Sequence, residues 1–197
     1  HMKNVITIGR EYGSGGQDLG IKLAEELGFK FYNKQLISDL ADQLMLPENF
    51  IEQAEAQIPK RNIFQEIFPF WNNDANRDMH IFDEQGKFIC KLAADGNCVF
   101  AGRRADYYLR DNENAMHFFF YAPLEYRIQH VMESENLSRD EAVEKIDTMD
   151  RMRKNSYEYT TGRKWGVRGN YDMMIDSSNY ETEELVKLLA DIIRRTK

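Results

Sequence analysis

Gly13, Ser14, Gly15 and Gly16 stand between a β-branched apolar run, "NVITIG" (4–9), and a stretch whose leucines recur at 19, 23 and 27. Glycines in that place let the backbone curl until amide N–H groups converge, and the dipole of the following helix adds positive potential. The chemistry available to such a loop is anion binding, above all of phosphate. The pattern Gly-x-x-x-x-Gly-Lys-Ser/Thr adds a lysine for the outer phosphates and a hydroxyl for Mg²⁺. Here the pattern ends Gly15-Gly16-Gln17, so neither side chain is present. Counting back from Gly15, the opening glycine falls on Arg10, with Gly9 one place early. The loop alone therefore fits two readings, a triphosphate cradle that works through its amides and a glycine-rich turn that simply starts a helix. Arg10 and Lys22 are the candidates to restore the lost charge. Lys22, on the helix behind the loop, is expected to face solvent, which leaves Arg10.

A second group of charges lies late in the chain. From 151 to 168 the basic residues are Arg151, Arg153, Lys154, Arg163, Lys164 and Arg168, against the single acid Glu158. The chain as a whole carries a formal charge of −7. A local basic segment in an acidic protein suits a small anion, and nucleic acid is not an expected partner. The plain alternative for Arg151 is an i,i+4 pair with Asp147, and for Lys154 one with Asp150. Arg103 follows the apolar run "CVFAG" (98–102). Open α/β sheets bind ligands beyond the carboxyl ends of such strands, although an ordinary surface arginine is the alternative. His80, His117 and His130 lack ligand spacing, and His117 reads as a strand residue. Cys90 and Cys98 suggest neither a metal site nor a disulfide framework. Trp165 is expected to pack rather than to cover a base.

The elements that must position these groups follow from pattern. Strands are expected at 4–9, 29–33, 98–102, 116–122 and 171–176. The runs "CVFAG" and "MHFFFYA" are continuously apolar, as in strands covered on both faces. Helices are expected from Gly16 to the stop at Gly28, over 34–57 with a break near Pro47, from Pro123 to about Glu133, from Ser138 to about Tyr157, and over 180–195. "SRDE" (138–141) has the form of a capping box. Residues 58–92 are aromatic and broken by Pro59, Pro69 and Gly86. They read as an inserted helical subdomain, with a partner or dimer surface as the alternative. Strands alternating with helices imply a parallel sheet in an α/β fold. Hydrophobic residues make up 42% and charged residues 30%, which fits a globular chain. No run of about 18 apolar residues marks a transmembrane helix. The expectation is a reduced cytoplasmic protein with no membrane contact.

The segment "ITIGREYGSGGQDLGIKLAEELGFKFYNKQLI" resembles the opening of cytidylate kinase-like proteins. "VFAGRRADYYL", "FFFYAPLEYRIQHVME", "DRMRKNSYEYTTGRKWG" and "NYDMMIDSS" resemble, in order, their later strands, helix and lid. In that branch the loop also reads Gly-Ser-Gly-Gly, so the missing lysine is a family feature. The resemblance implies a P-loop nucleoside-monophosphate-kinase-like fold with three layers and a five-stranded parallel sheet. It implies one kinase-like domain over 2–197, a helical acceptor-binding insertion at about 34–95 and a lid at about 150–170. It also implies transfer of the γ-phosphoryl group of ATP, with Mg²⁺, to a small phosphorylated acceptor, CMP or dCMP first. Gly13, Ser14, Gly15, Gly16 and Gln17 would bind the ATP phosphates. Asn33, Arg103, Asp150 and Arg153 would face the acceptor, with Arg10, Arg151 and Arg153 as catalytic cations. Two departures weaken the match. Arg104 stands where cytidylate kinases have aspartate in a Gly-Arg-Asp turn, and Asn33 and Gln17 deplete the expected Mg²⁺ site, leaving its ligands unassigned. A nucleotide sensor without turnover and an interaction protein on the same fold are the rival readings, and a second copy of the chain is a candidate partner.

Overall fold

The computed structural model describes residues 2–33 and 82–197. The expected helix at 34–57 and most of the aromatic segment lie outside the described residues.

The chain opens with β1 (Val5–Arg10), the loop, α1 (Gly16–Leu27) and β2 (Lys30–Tyr32). It resumes in a helix over 82–94, α2, followed by β3 (Cys98–Ala101), the single turn α3 (Ala105–Tyr108) and β4 (Ala115–Tyr121). Then come α4 (Leu124–Glu135), α5 (Arg139–Thr161), β5 (Met173–Asp176) and α6 (Thr182–Arg194). The five strands form one sheet in the order β2-β3-β1-β4-β5, every neighbouring pair parallel. The chain fills the side of β1 that holds β2 and β3 first, then crosses to β4 and β5. The carboxyl end of β1 is therefore the place where strand order reverses and a crevice opens.

Alternation along the strands divides the core. Val5, Cys98 and Phe100 face one way and meet Phe88, Ile89 and Ala93 of α2. Ile6, Ile8, Val99, Phe118 and Phe120 face the other way, against Leu19 and Leu23 of α1 and Leu185, Leu189 and Ile193 of α6. Both faces are covered, which is why β1, β3 and β4 read as unbroken apolar runs. Phe100, Phe118 and Phe120 are fully buried, each worth roughly 1.5–3 kcal/mol of transfer free energy. A smaller core joins α4 to α5 through Ile128, Val131, Ala142 and Ile146, with Tyr12 of the loop packed against it.

Gly86 does not interrupt a helix, contrary to expectation. It lies inside α2, where a side chain would come within 2.5 Å of the Tyr108 ring. The glycine brings α2 close to α3, at the helix-propensity cost such a residue carries. The capping box forms: the Ser138 hydroxyl accepts from the Glu141 amide, and the Glu141 carboxylate accepts from the Ser138 amide at 2.8 Å. α5 runs on to Thr161, a turn beyond the expected end, and stops at Gly162 in the left-handed region. Among the described residues no helix is long and apolar enough to cross a membrane.

His117 is a strand residue, as expected, but it is not inert. Its Nδ1 lies 2.7 Å from the Thr7 hydroxyl, and its amide donates to Asp172. Burial holds the imidazole below its usual value of 6.5, against the attraction of Asp172. The unfolded chain therefore binds this proton more readily than the folded one. Stability should rise with pH between the folded value and about 6.5, with a slope of at most about 1.4 kcal/mol per pH unit. Denaturant titrations from about pH 5 to about pH 7.5 should show that slope, and His117→Gln should flatten it. An unchanged slope in the variant would remove His117 as its source.

Candidate functional site

The loop is shaped by contacts on its inner side. Gly13 and Gly15 both have positive φ, near +79° and +78°. A side chain on Gly13 would strike the Arg127 carbonyl and Val131 at 2.9 Å. The Ser14 hydroxyl turns inward and donates to the Glu11 carbonyl at 2.7 Å, as the Ser14 amide does at 3.3 Å, so Ser14 shapes the loop from within. The Ser14 carbonyl in turn accepts from the Ser177 hydroxyl at 2.6 Å, which ties the loop to the end of β5. Among the described residues no side chain caps the start of α1. Its first amides keep the unsatisfied polarity of a helix N-terminus, the property that suits such a place to phosphate.

Beside the loop, at the carboxyl ends of β1 and β3, lies a cleft of about 510 Å³. Arg10, Arg103, Arg104 and Arg153 line it, with Asp106 the one acid among its described lining residues. Gln17 and Asn33 also line it. Asp150, Arg151 and the four residues 13–16 are not among its lining residues.

Each arginine arrives by a different route. Arg10 ends β1, and burial together with Arg153 and Arg103 depresses its pKa far below the usual arginine value. Its Nε is enclosed and has no hydrogen-bond partner among the described residues. Arg153 projects from α5, donates to the Arg10 carbonyl at 3.0 Å and lies 5.3 Å over the Tyr12 ring. Burial lowers its pKa too, with Asp150 and Tyr12 opposing the shift. Arg103 and Arg104 both occupy left-handed backbone, φ 57° and 58°, in the turn after β3, a conformation that costs L-residues energy and tends to mark functional turns. Arg104 is committed to the scaffold. It donates to the Ser156 hydroxyl at 2.7 Å and to Gln85, and lies 4.5 Å over the Phe82 ring. It thereby joins α2, the turn and α5. Asp106 accepts from the Tyr157 hydroxyl at 2.7 Å, and burial raises its pKa.

Asp150 and Arg151, expected to face the ligand, both have partners within the chain. Asp150 accepts from the Tyr12 amide and from Arg127, both at 2.7 Å. Arg151 pairs with Asp147 at 3.0 Å, the plain i,i+4 alternative. Lys22 faces solvent between Asp18 and Glu183. Lys164 is exposed and paired with Glu158. Trp165 packs edge-on against Phe119, ring centroids 5.4 Å apart, while also lining the cleft. Arg127 was missed. It is buried in α4, donates to the Ala122 carbonyl at 3.0 Å and to Asp150, and lies 3.4 Å from Glu11. The available signal was its place four residues before Val131, on the apolar stripe of an otherwise polar helix.

Among the described residues no three His, Cys, Asp or Glu side chains gather into a cation site. A divalent cation here would be held mainly by phosphate oxygens and water, the usual condition of Mg²⁺. The site as built can do two things. Loop amides and a helix N-terminus can hold one phosphate group, and a cationic cleft beside them can hold another.

A cytidylate kinase from Saccharolobus islandicus is 22% identical over 189 residues, covering 94% of this chain and 88% of that one. A cytidylate kinase from Methanocaldococcus jannaschii is 26% identical over 125 residues, 62% of this chain and 70% of that one. An uncharacterized protein from Eubacterium ventriosum superposes with a TM-score of 0.74 at 26% identity, over 98% of this chain and 99% of that one. A gluconokinase from Sinorhizobium meliloti shares the fold at a TM-score of 0.56 and 15% identity, over 99% and 94% of the two chains. The model of the cytidylate kinase-like family matches residues 5–179, from the first residue of β1 to the turn after β5, and with the loop and cleft inside that span the chain belongs to this family.

Proposed function

We propose that this protein transfers the γ-phosphoryl group of ATP, with Mg²⁺, to a nucleoside monophosphate, CMP or dCMP first. The observation that carries the reading is the arginine cleft beside the glycine loop. Phosphoryl transfer needs two phosphate-bearing molecules held in line and their charge neutralised, with little covalent chemistry from the protein. The loop amides hold the donor. Arg103 and Arg153 hold the acceptor phosphate, with Asn33 in the same lining. Arg10, between loop and cleft, meets the group in transit. The relatives named cytidylate kinase supply the first acceptor to try. Arg104, occupied by Gln85 and Ser156, is the residue that sets this chain apart in the acceptor turn.

The test is a panel of nucleoside and deoxynucleoside monophosphates with ATP and Mg²⁺, read as ADP release. Release that depends on one pyrimidine monophosphate supports the reading, and none above the acceptor-free rate with any member rejects it. A nucleotide-binding protein without turnover is the second reading, favoured by Gln17 and Asn33, which deplete the expected Mg²⁺ site. ATP binding without release would select it. Within the first reading, Arg103→Ala should raise the Michaelis constant for the acceptor about tenfold or more, the loss expected for one charge-assisted phosphate contact. The constant for ATP should change far less. Equal effects on both substrates would argue against placing Arg103 at the acceptor.

A further inference from the structure

The loop departs from the Gly-x-x-x-x-Gly-Lys pattern at two places at once: Arg10 stands where the opening glycine belongs, and Gly16 where the lysine belongs. The fold brings those two positions together. A Cβ on residue 16 would lie 2.6 Å from the Arg10 Cβ and 2.9 Å from its Cγ, closer than side-chain carbons approach. These are the first carbons of the arginine stem, not its mobile end, so the crowding has no cheap escape. The stems of an arginine at 10 and of any longer residue at 16 compete for one volume.

We infer that the two departures are a single reciprocal exchange, in which the phosphate-binding cation has moved from the first residue of α1 to the last residue of β1. The exchange deepens the proposed function and rests on it for the identity of the anion. Three further observations support it. The Arg10 Nε, like that of Arg104, is enclosed without a partner among the described residues, so the fold leaves this nitrogen unsatisfied. Burial first, then Arg153 and Arg103, depress its pKa, and the carboxylate that opposes them, Asp150, is already engaged by Tyr12 and Arg127. Its Nη1 lies against Gly102, inside the cleft, so the charge is directed toward the acceptor side of the loop. A cation crowded by cations, its nearest acid spent elsewhere, is completed by an anion. The anion that fits is a phosphoryl group lying between the loop amides and the cleft. Arg10 is then a catalytic residue, and the missing side chain of Gly16 is what makes room for it.

The exchange is tested by reversing it. Arg10→Gly, Gly16→Lys and the double variant are compared with the unaltered chain by melting temperature and by calorimetric binding of inorganic pyrophosphate, neither of which needs turnover. Gly16→Lys alone should lower the melting temperature by roughly 5 °C or more through overpacking. Arg10→Gly alone should weaken pyrophosphate binding about tenfold or more, as a lost charge-assisted contact does. The double variant restores Gly-x-x-x-x-Gly-Lys and should recover most of both losses. Arg10→Met keeps the stem and removes the charge, so it should lose pyrophosphate while keeping its melting temperature. Additive losses in the double variant would overturn the exchange. So would pyrophosphate binding that is absent in the unaltered chain, or unchanged in Arg10→Gly and Arg10→Met. Recovery in the double variant, with no phosphoryl transfer by any of the proteins, would leave the exchange standing and reject the kinase reading instead.

Discussion

Arg153→Ala is expected to lower turnover by roughly 100-fold or more, the usual cost of removing one preorganised electrostatic stabiliser. Two features make Arg153 the arginine with most to lose. It lines the cleft, and its Nη1 donates to the carbonyl of Arg10, so it both offers charge and fixes the strand end that carries the other cation. Its side chain is half-buried, in a setting where charge counts for more than it does in water. Arg153→Lys should fall between wild type and alanine, because an ammonium keeps the charge but cannot fork onto a phosphate while holding the Arg10 carbonyl. Steady-state kinetics with matched melting curves would separate a lost stabiliser from a lost fold. Turnover within about twofold of the unaltered enzyme would remove Arg153 from the chemistry. Arg151, paired with Asp147 on the same helix, should be the milder substitution as long as it keeps that partner.

Asp150→Ala should be the most damaging of these changes to stability. The carboxylate holds the Tyr12 amide with one oxygen and Arg127 with the other, each at 2.7 Å, and so joins α5 to the loop and to α4. Removing it strands a buried guanidinium, which typically costs about 3–5 kcal/mol. Arg127 would keep Glu11 at 3.4 Å and the Ala122 carbonyl at 3.0 Å, so the lower end, about 3 kcal/mol, is expected. In a chain of this length that is a drop of roughly 6–12 °C in melting temperature. Asp150→Asn keeps an oxygen for the Tyr12 amide and should lose less. A melting temperature within about 2 °C of wild type for the alanine variant would contradict this role. Asp150→Asn with an unchanged acceptor Michaelis constant would mark Asp150 as a positioning residue with no ligand contact of its own.

The fold could be read from the sequence because its signals are local. β1, β3 and β4 announce themselves as unbroken apolar runs, and α5 by a capping box whose two hydrogen bonds form. β5 is a half-exposed edge strand and is two residues shorter than expected, because Tyr171 closes the turn at 168–170 and Asp172, whose amide donates to the His117 carbonyl at 2.8 Å, forms a bend. The local backbone was legible where a motif fixes it, as at the loop and in the turn that carries Arg103 into the cleft lining. The site was not legible where a long side chain chooses among distant partners. Nothing near Asp150 in sequence says that it meets Tyr12 and Arg127 rather than Lys154, since both partners come from other elements. Gly86 misled for a related reason. A glycine that stops a helix and a glycine that lets a tyrosine ring approach one look alike until α3 is in place. Arg104 could be seen as a departure from the family turn, but its binding to Gln85 across 19 residues could not.

Transfer of a phosphoryl group between two bound molecules is tested most directly by following that group. The protein is incubated with ATP labelled at the γ-phosphorus, Mg²⁺ and CMP, and the products are separated. Label is expected in the β-position of CDP, in amounts equal to the ADP formed, and that label should be lost in Arg153→Ala. Label found only in inorganic phosphate, or retained in ATP with CMP, dCMP and every other monophosphate, would contradict the transfer.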